Sequence, residues 1–221
     1  HDAEPGADRC LFHQPLDEKA ADDVVDAFLA VLDEAEACDD PAVQDRKLQF
    51  LGARFGTFDL SDRPIDITVP QSGIDLSYAC IDGELDWTGS HLEMDSLRLT
   101  GVTVQDRACF ADVTFGTTPS VTDACFCGDV DWSGATFEQG LRFNTVDVDG
   151  EATFANATVG GRAHFGHTEF RENADFAHVE FTGELVFNSA QFGGEAKFFE
   201  TQLRGETHFD RAEFDDGALF L

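Results

Sequence analysis

The sequence predicts an all-β solenoid, and three observations predict it. From Phe110 to Leu221 the large apolar residues recur at a spacing that alternates between five and six: Phe110, Phe115, Val121, Phe126, Trp132, Phe137, Phe143, Val148, Phe154 and so on to Phe220. A small or aliphatic residue stands two positions before most of them, as at Ala124, Val130, Ala135, Ala152, Ala163 and Ala174. The six-residue steps carry glycine at or beside the extra position, at Gly128, Gly140, Gly150, Gly161, Gly183, Gly194, Gly205 and Gly217, with Asn173 standing in once. An amphipathic helix would space its apolar residues at three and four, and an ordinary half-buried strand would alternate without a break. An inward pair, a polar corner and another inward pair read instead as very short strands separated by bends, and fixed self-similarity of this kind marks a stacked-repeat architecture. Pro119 is the clear misfit to the grid.

Stacking follows from the count. Two five-residue and two six-residue steps make a lap of 22, so Phe110, Trp132, Phe154, Phe176, Phe198 and Phe220 form one column, and Phe126, Val148, Phe170, Phe192 and Phe214 another. Laps joined by strand hydrogen bonds lie about 4.8 Å apart. Each large side chain buried in such a column contributes roughly 1.5–3 kcal/mol, enough to hold a narrow core without disulfides or metal. Glycine and asparagine reach positive φ at low cost. The six-residue corners are therefore predicted to be wide turns with positive φ at those residues, and the two intervening corners to be tight.

The repeating unit resembles the pentapeptide-repeat family, whose unit reads roughly Ala-(Asp/Asn)-(Leu/Phe)-x-x. Ala152-Thr153-Phe154-Ala155-Asn156, Ala174-Asp175-Phe176-Ala177-His178 and Ala212-Glu213-Phe214-Asp215-Asp216 carry it, and Ile74-Asp75-Leu76-Ser77-Tyr78 is a looser early copy. The resemblance implies a right-handed quadrilateral β-helix. This chain departs from the family rule by adding one residue at every second corner.

In chain order, residues 1–47 form a leader and capping helix, and residues 48–221 the β-helix. The stripe Val24, Val25, Phe28, Leu29 and Leu32 predicts one helix from 16 to about 37, closed by Asp39-Asp40-Pro41. It caps the first coil, whose apolar face and strand edges would otherwise meet water. A second short helix is expected near 41–52. Ala53/Phe55, Phe58/Leu60 and Ile65/Ile67 read as the first sides, Thr68–Gly73 with Pro70 as a loop, and the seven-residue step from Leu92 to Leu99 as a bulged corner. There is room for about seven to eight coils, roughly 35 Å of rod. Phe220 and Leu221 finish the sequence without a polar tail. This predicts that the chain continues, that a partner covers the last coil, or that an end-to-end homodimer forms through it, as the family resemblance also suggests.

Charge bounds the function. Asp and Glu number 44 against 14 Lys and Arg, a net charge of −30. Two readings compete: a halophilic surface suited to a cytoplasm of molar salt, where repulsion is screened within about 3 Å, or a rod that mimics DNA and occupies a topoisomerase. Direct nucleic-acid binding is not expected, because a phosphate backbone needs Lys and Arg. No 18-residue apolar run spans a membrane. No signal peptide is visible, and the sequence starts at His1, which reads as processed or incomplete. The cysteines Cys80, Cys109, Cys125 and Cys127 flank inward residues and should point outward, with no two stacked. That pattern favours free thiols and a cytoplasmic location.

No P-loop, dinucleotide fingerprint, nucleophile elbow or His-Glu-x-x-His occurs. The expectation is a non-enzymatic scaffold presenting acidic faces to a protein partner. The alternatives are the DNA mimic and a soluble module of a larger membrane or signalling protein. Cys10-Leu11-Phe12-His13 is half of a zinc site, with His1 and Cys38 as candidate further ligands. Cys125 and Cys127 are a weaker second metal pair. His164 and His208 face outward with Val186 between them, so they do not share a metal.

Overall fold

The computed structural model describes residues 10–18, 20–38 and 40–220. Short parallel strands stack on four faces, visited in the same order in every lap. They are assembled into sheets of 8, 12 and 8 strands. The first face is built from strands such as Cys125–Phe126 and Asp147–Val148, and the second from Val130–Asp131 and Ala152–Thr153. The third contains Thr136–Phe137 and Thr158–Val159, and the fourth Gly140–Asn144 and Arg162–His164. With eight strands on the first two faces, the chain makes seven full coils and half of an eighth. Register between regular coils is 22 residues, as in Phe126↔Val148 and Phe170↔Phe192.

The predicted columns are the core. Phe154, Phe176 and Phe198 stack face to face at centroid distances of 5.0 and 5.2 Å, with interplanar angles of 4°. Phe110 and Trp132 stack at 4.0 Å. Rings from neighbouring columns meet these edge-on, as Phe165 does Phe154 at 5.3 Å and 86°, the arrangement that the aromatic quadrupole favours. Phe220 and Leu219 on the last half-coil are exposed, as is Leu203 on the coil before.

The corners correct the expected role of glycine. Two opposite corners are tight and two are wide, as the spacing predicts, but positive φ lies at the tight ones. It recurs every eleven residues at Asp112, Asp123, Gly134, Thr145, Asn156, His167, His178, Ser189, Glu200 and Arg211. At one such corner Asn156 has φ 62° and Ala157 N donates to Phe154 O at 3.0 Å, the signature of a type II turn. Most glycines of the wide corners have ordinary φ and serve close approach instead. A Cβ on Gly161 would lie 2.1 Å from Gln139 O, and one on Gly183 2.5 Å from Gly161 O. Side-chain ladders also climb the wide corner between the first two faces: Asp129 Oδ1 accepts from Glu151 N at 2.9 Å, and Asn173 Oδ1 from Glu195 N at 3.0 Å.

Three early segments differ from expectation. Residues 68–73 are not a loop, because Asp66–Asp75 is one strand through Pro70. Its register against His91–Arg98 shifts between Val69 and Gly73. The Leu92–Leu99 corner does carry an extra residue, for the offset to the next coil falls from 23 at Leu92↔Phe115 to 22 at Arg98↔Ser120. His91–Arg98 runs through it as one continuous strand that buries Met94, and it joins the third and fourth faces into one sheet. The predicted first helix is divided into a 3₁₀ turn at Leu16–Glu18 and α1 at Ala21–Glu36. The second, α2, runs Pro41–Lys47 with Asp40 Oδ1 accepting from Ala42 N at 3.0 Å. It stops short of 52 because Leu48–Phe50 already bonds the first coil, with Phe50 N donating to Asp75 O. Phe28 of α1 sits on the open end, 4.9 Å from Phe50 and 4.8 Å from Phe58.

Candidate functional site

The outward side chains are the only part of this fold free to carry specificity, since the inward ones are committed to packing. Their densest charge runs along the wide corner joining the first and second faces. Every lap after the first places carboxylates there: Asp82 and Glu84, Asp106, Asp129 and Asp131, Asp149 and Glu151, Glu172, Glu195, then Asp215 and Asp216. A few cations tie parts of this ridge together. Arg107 pairs with Asp131 at 2.7 Å, and Arg171 with Asp149 at 2.6 Å and Glu169 at 3.2 Å. Arg54 also reaches Asp82 and Lys197 reaches Glu195; pairs this exposed contribute about 0–1 kcal/mol each, and among the described residues most of the ridge carboxylates have no cation against them. A shallow depression of about 220 Å³ on the second face is lined by Asp129, Asp131, Glu151, Asp175, Arg107 and Lys197, among others.

The candidate zinc residues are placed as follows. His1 lies outside the described residues. Cys10 Sγ is 3.0 Å from His13 Nδ1, and His13 Nε2 is 2.8 Å from Leu51 O. A carbonyl only accepts, so Nε2 carries the proton and Nδ1 receives the thiol. This pair locks the leader onto the first coil. Cys38 is not brought to it, for its Sγ faces Asp40 O at 3.8 Å. Among the described residues no three His, Cys, Asp or Glu side chains group to hold a metal.

All the cysteines are free. Cys125 Sγ and Cys127 Sγ flank Phe126 on the outer surface, 3.8 Å apart. Cys109 also leaves the core cluster but is buried, with Thr88 Oγ1 3.1 Å from its sulfur. Burial pushes the Cys80 thiol up to about 11, helped by its hydrogen bond to Asp82. Burial also pushes Cys125 to about 11, with the Cys127 hydrogen bond and the negative charges of Cys127, Asp149 and Asp147 adding to it. The thiolate is the nucleophile, so raising these values keeps the groups unreactive at neutral pH. Alkylation of Cys80 and Cys125 by iodoacetamide, followed by peptide mass spectrometry, is expected to be slow near neutrality and to accelerate as pH approaches 11. Rapid labelling of both at neutral pH contradicts this.

His164 and His208 lie either side of Val186 on the fourth face, in register. His167 and His178 occupy tight corners on different edges. Among the described residues no helix is long and apolar enough to cross a membrane. Sequence reasoning missed a feature of the fourth face, where Arg142 lies beneath His164. Writing out the outward residues at intervals of 22 would have found it.

No family model matches the sequence, and no curated protein matches it. Among solved structures the chain is similar to HetL, a pentapeptide repeat protein involved in heterocyst differentiation regulation from the cyanobacterium Nostoc sp. strain PCC 7120. The two are 14% identical over 78% of this chain and 92% of that chain, with a TM-score of 0.18. A superposition of that quality decides neither fold nor role. The solenoid rests on this chain's own ladders, which run in parallel register from the first coil to the last.

Proposed function

We propose that the chain is a pentapeptide-repeat protein of a variant type, with laps alternating five- and six-residue sides, and that it is a non-enzymatic scaffold offering an acidic corner to a protein partner. The carboxylate ridge between the first and second faces carries this reading. It repeats lap after lap at strand spacing, about 4.8 Å, on a backbone that the ladders hold rigid. The interior supports it as well. Stacked rings fill the core, and the depressions beside the ridge are shallow and open, unlike the enclosed apolar pockets that small ligands occupy. Electrostatic complementarity of this kind contributes mainly to partner choice and association rate.

Crosslinking in the native cell tests it. The wild-type chain is expected to capture a defined partner, and a variant carrying Asp149→Asn, Glu151→Gln and Glu172→Gln to lose it. A partner set unchanged by the variant, or no partner at all, rejects the proposal. A captured DNA-binding enzyme that duplex DNA displaces would turn the reading to the DNA mimic.

A further inference from the structure

The fourth face departs from the charge of the rest of the rod. In a chain of net charge −30, its central outward column reads Arg98, Ser120, Arg142, His164, with Arg162 two residues before His164 on the same strand. Beside Pro119, the misfit of the sequence grid, the wall opens into a depression of about 500 Å³. Arg142, Arg162, His164, Asn144, Gln139 and Thr118 line it, and no carboxylate does. Two backbone features shape this hollow. Gly140 adopts φ 123°, where a Cβ would strike Arg162 O, and Arg142 N donates to Pro119 O at 3.1 Å.

The charged groups on this wall are donors. Thr118 Oγ1 is spent on Gln139 O, and Gln139 Nε2 on Gly116 O. His164 Nδ1 accepts from Gly166 N at 3.4 Å, which places the ring proton on Nε2. Arg162 holds Glu184 through Nε at 3.2 Å, leaving the far edge of its guanidinium open. Arg142 has no carboxylate partner among the described residues, although Arg98, Arg107, Arg171 and Arg204 on the same solenoid each pair with one. Burial lowers the His164 pKa, and the positive charges of Arg162 and Arg142 lower it further against the opposing pull of Glu184. Two guanidiniums thus stand on a wall that no carboxylate lines, in a chain of net charge −30.

We propose that this depression binds a phosphate-class oxyanion, with Arg142 and Arg162 as charged donors and His164 Nε2–H as a third. Guanidinium forks match the oxygens of a phosphate group, and such charge-assisted bonds are the strong ones. The acidic remainder of the rod repels anions, so binding concentrates at this one wall. The charged and titratable groups near His164 are Arg162 on its own strand, Arg142 on the strand below, Glu184 just before the strand above and His167 beyond the corner; Val186 lies directly over it. A bound anion raises the lowered His164 pKa in return, as an opposite charge nearby does.

Titration of inorganic phosphate into the full chain at fixed ionic strength, followed by NMR of the His164 ring, tests the site. The expected result, at constant pH, is a saturable shift that is weakened roughly tenfold or more by Arg142→Gln. Arg171→Gln, on the first face, leaves it unchanged. A small phosphomonoester and a phosphoserine peptide distinguish a metabolite from a modified protein as the source of the anion, by which of them binds tighter. Absence of saturation, equal binding by Arg142→Gln, or tighter binding of an unphosphorylated acidic peptide overturns the proposal.

Discussion

Phe176→Ala is expected to destabilise the rod by about 3–5 kcal/mol, the range for truncating a buried aromatic. Its ring is fully buried and stacks on Phe154 and Phe198 at 5.0 and 5.2 Å. Phe165 and Phe187 meet it edge-on at 5.5 and 5.2 Å. Phe170 meets it edge-on as well, at 6.0 Å, so removing the ring strips five neighbours of a contact and leaves a hole that ladders on every side keep from collapsing. Phe220→Ala makes the comparison. That ring is 53% exposed and touches Phe198 and Phe209 from one side only, so its loss is expected to cost about 1 kcal/mol or less by area. Urea denaturation of both variants reads the difference. Solenoids unfold unit by unit when weakened locally, so hydrogen exchange at Ala152–Thr153, Ala174–Asp175 and Ala196–Lys197 should accompany it. Equal costs for the two variants would show that the ring columns are not the seat of stability.

The second large effect separates two explanations of glycine. Gly183→Ala is expected to cost about 1–3 kcal/mol or more, because its Cβ would stand 2.5 and 2.6 Å from O and C of Gly161, backbone atoms that move only if the coils part. Thr145→Gly is expected to do the opposite. Thr145 is an exposed β-branched residue at φ 58°, a conformation that costs a non-glycine residue roughly 1–2 kcal/mol. Glycine removes that strain and returns about 0.5–1 kcal/mol of it as lost chain entropy, for a net gain of up to about 1 kcal/mol. Denaturation midpoints for the two variants decide the matter. A harmless Gly183→Ala with a damaging Thr145→Gly would restore conformational freedom as the reason for the wide-corner glycines.

The inward half of this fold was legible because the grid is a direct record of side-chain direction. Phe154 and Phe176 could be placed on one column from spacing alone, and α1 could be placed over the first coil from the stripe around Phe28. The corners were not legible in the same way. Periodicity says which side chains turn inward, but not which backbone atoms face each other across laps, and that contact is what requires Gly161 and Gly183. The left-handed positions gave little signal in residue type. Tyr78 and Arg211 hold positive φ because a turn bond and the strand ladders on either side over-determine them, and at Thr145 the ladders alone do so. Thr68–Gly73 reads as a loop from Pro70, yet Asp66–Asp75 is one strand whose pairing shifts register within it. On the surface, Arg142 and His164 look unremarkable until lap length places one beneath the other.

Every ladder in this molecule runs along the rod, since each lap donates to the lap beside it, as Phe154 N does to Asp175 O and Phe176 N to Lys197 O. Tension between the two ends therefore acts along these bonds rather than across them. The strands would not slide past one another as in a sheet pulled in shear. The outermost lap would peel away first, giving up its own few bonds and rings before the next is loaded, so the rod yields gradually when stretched and resists most when pressed from the side.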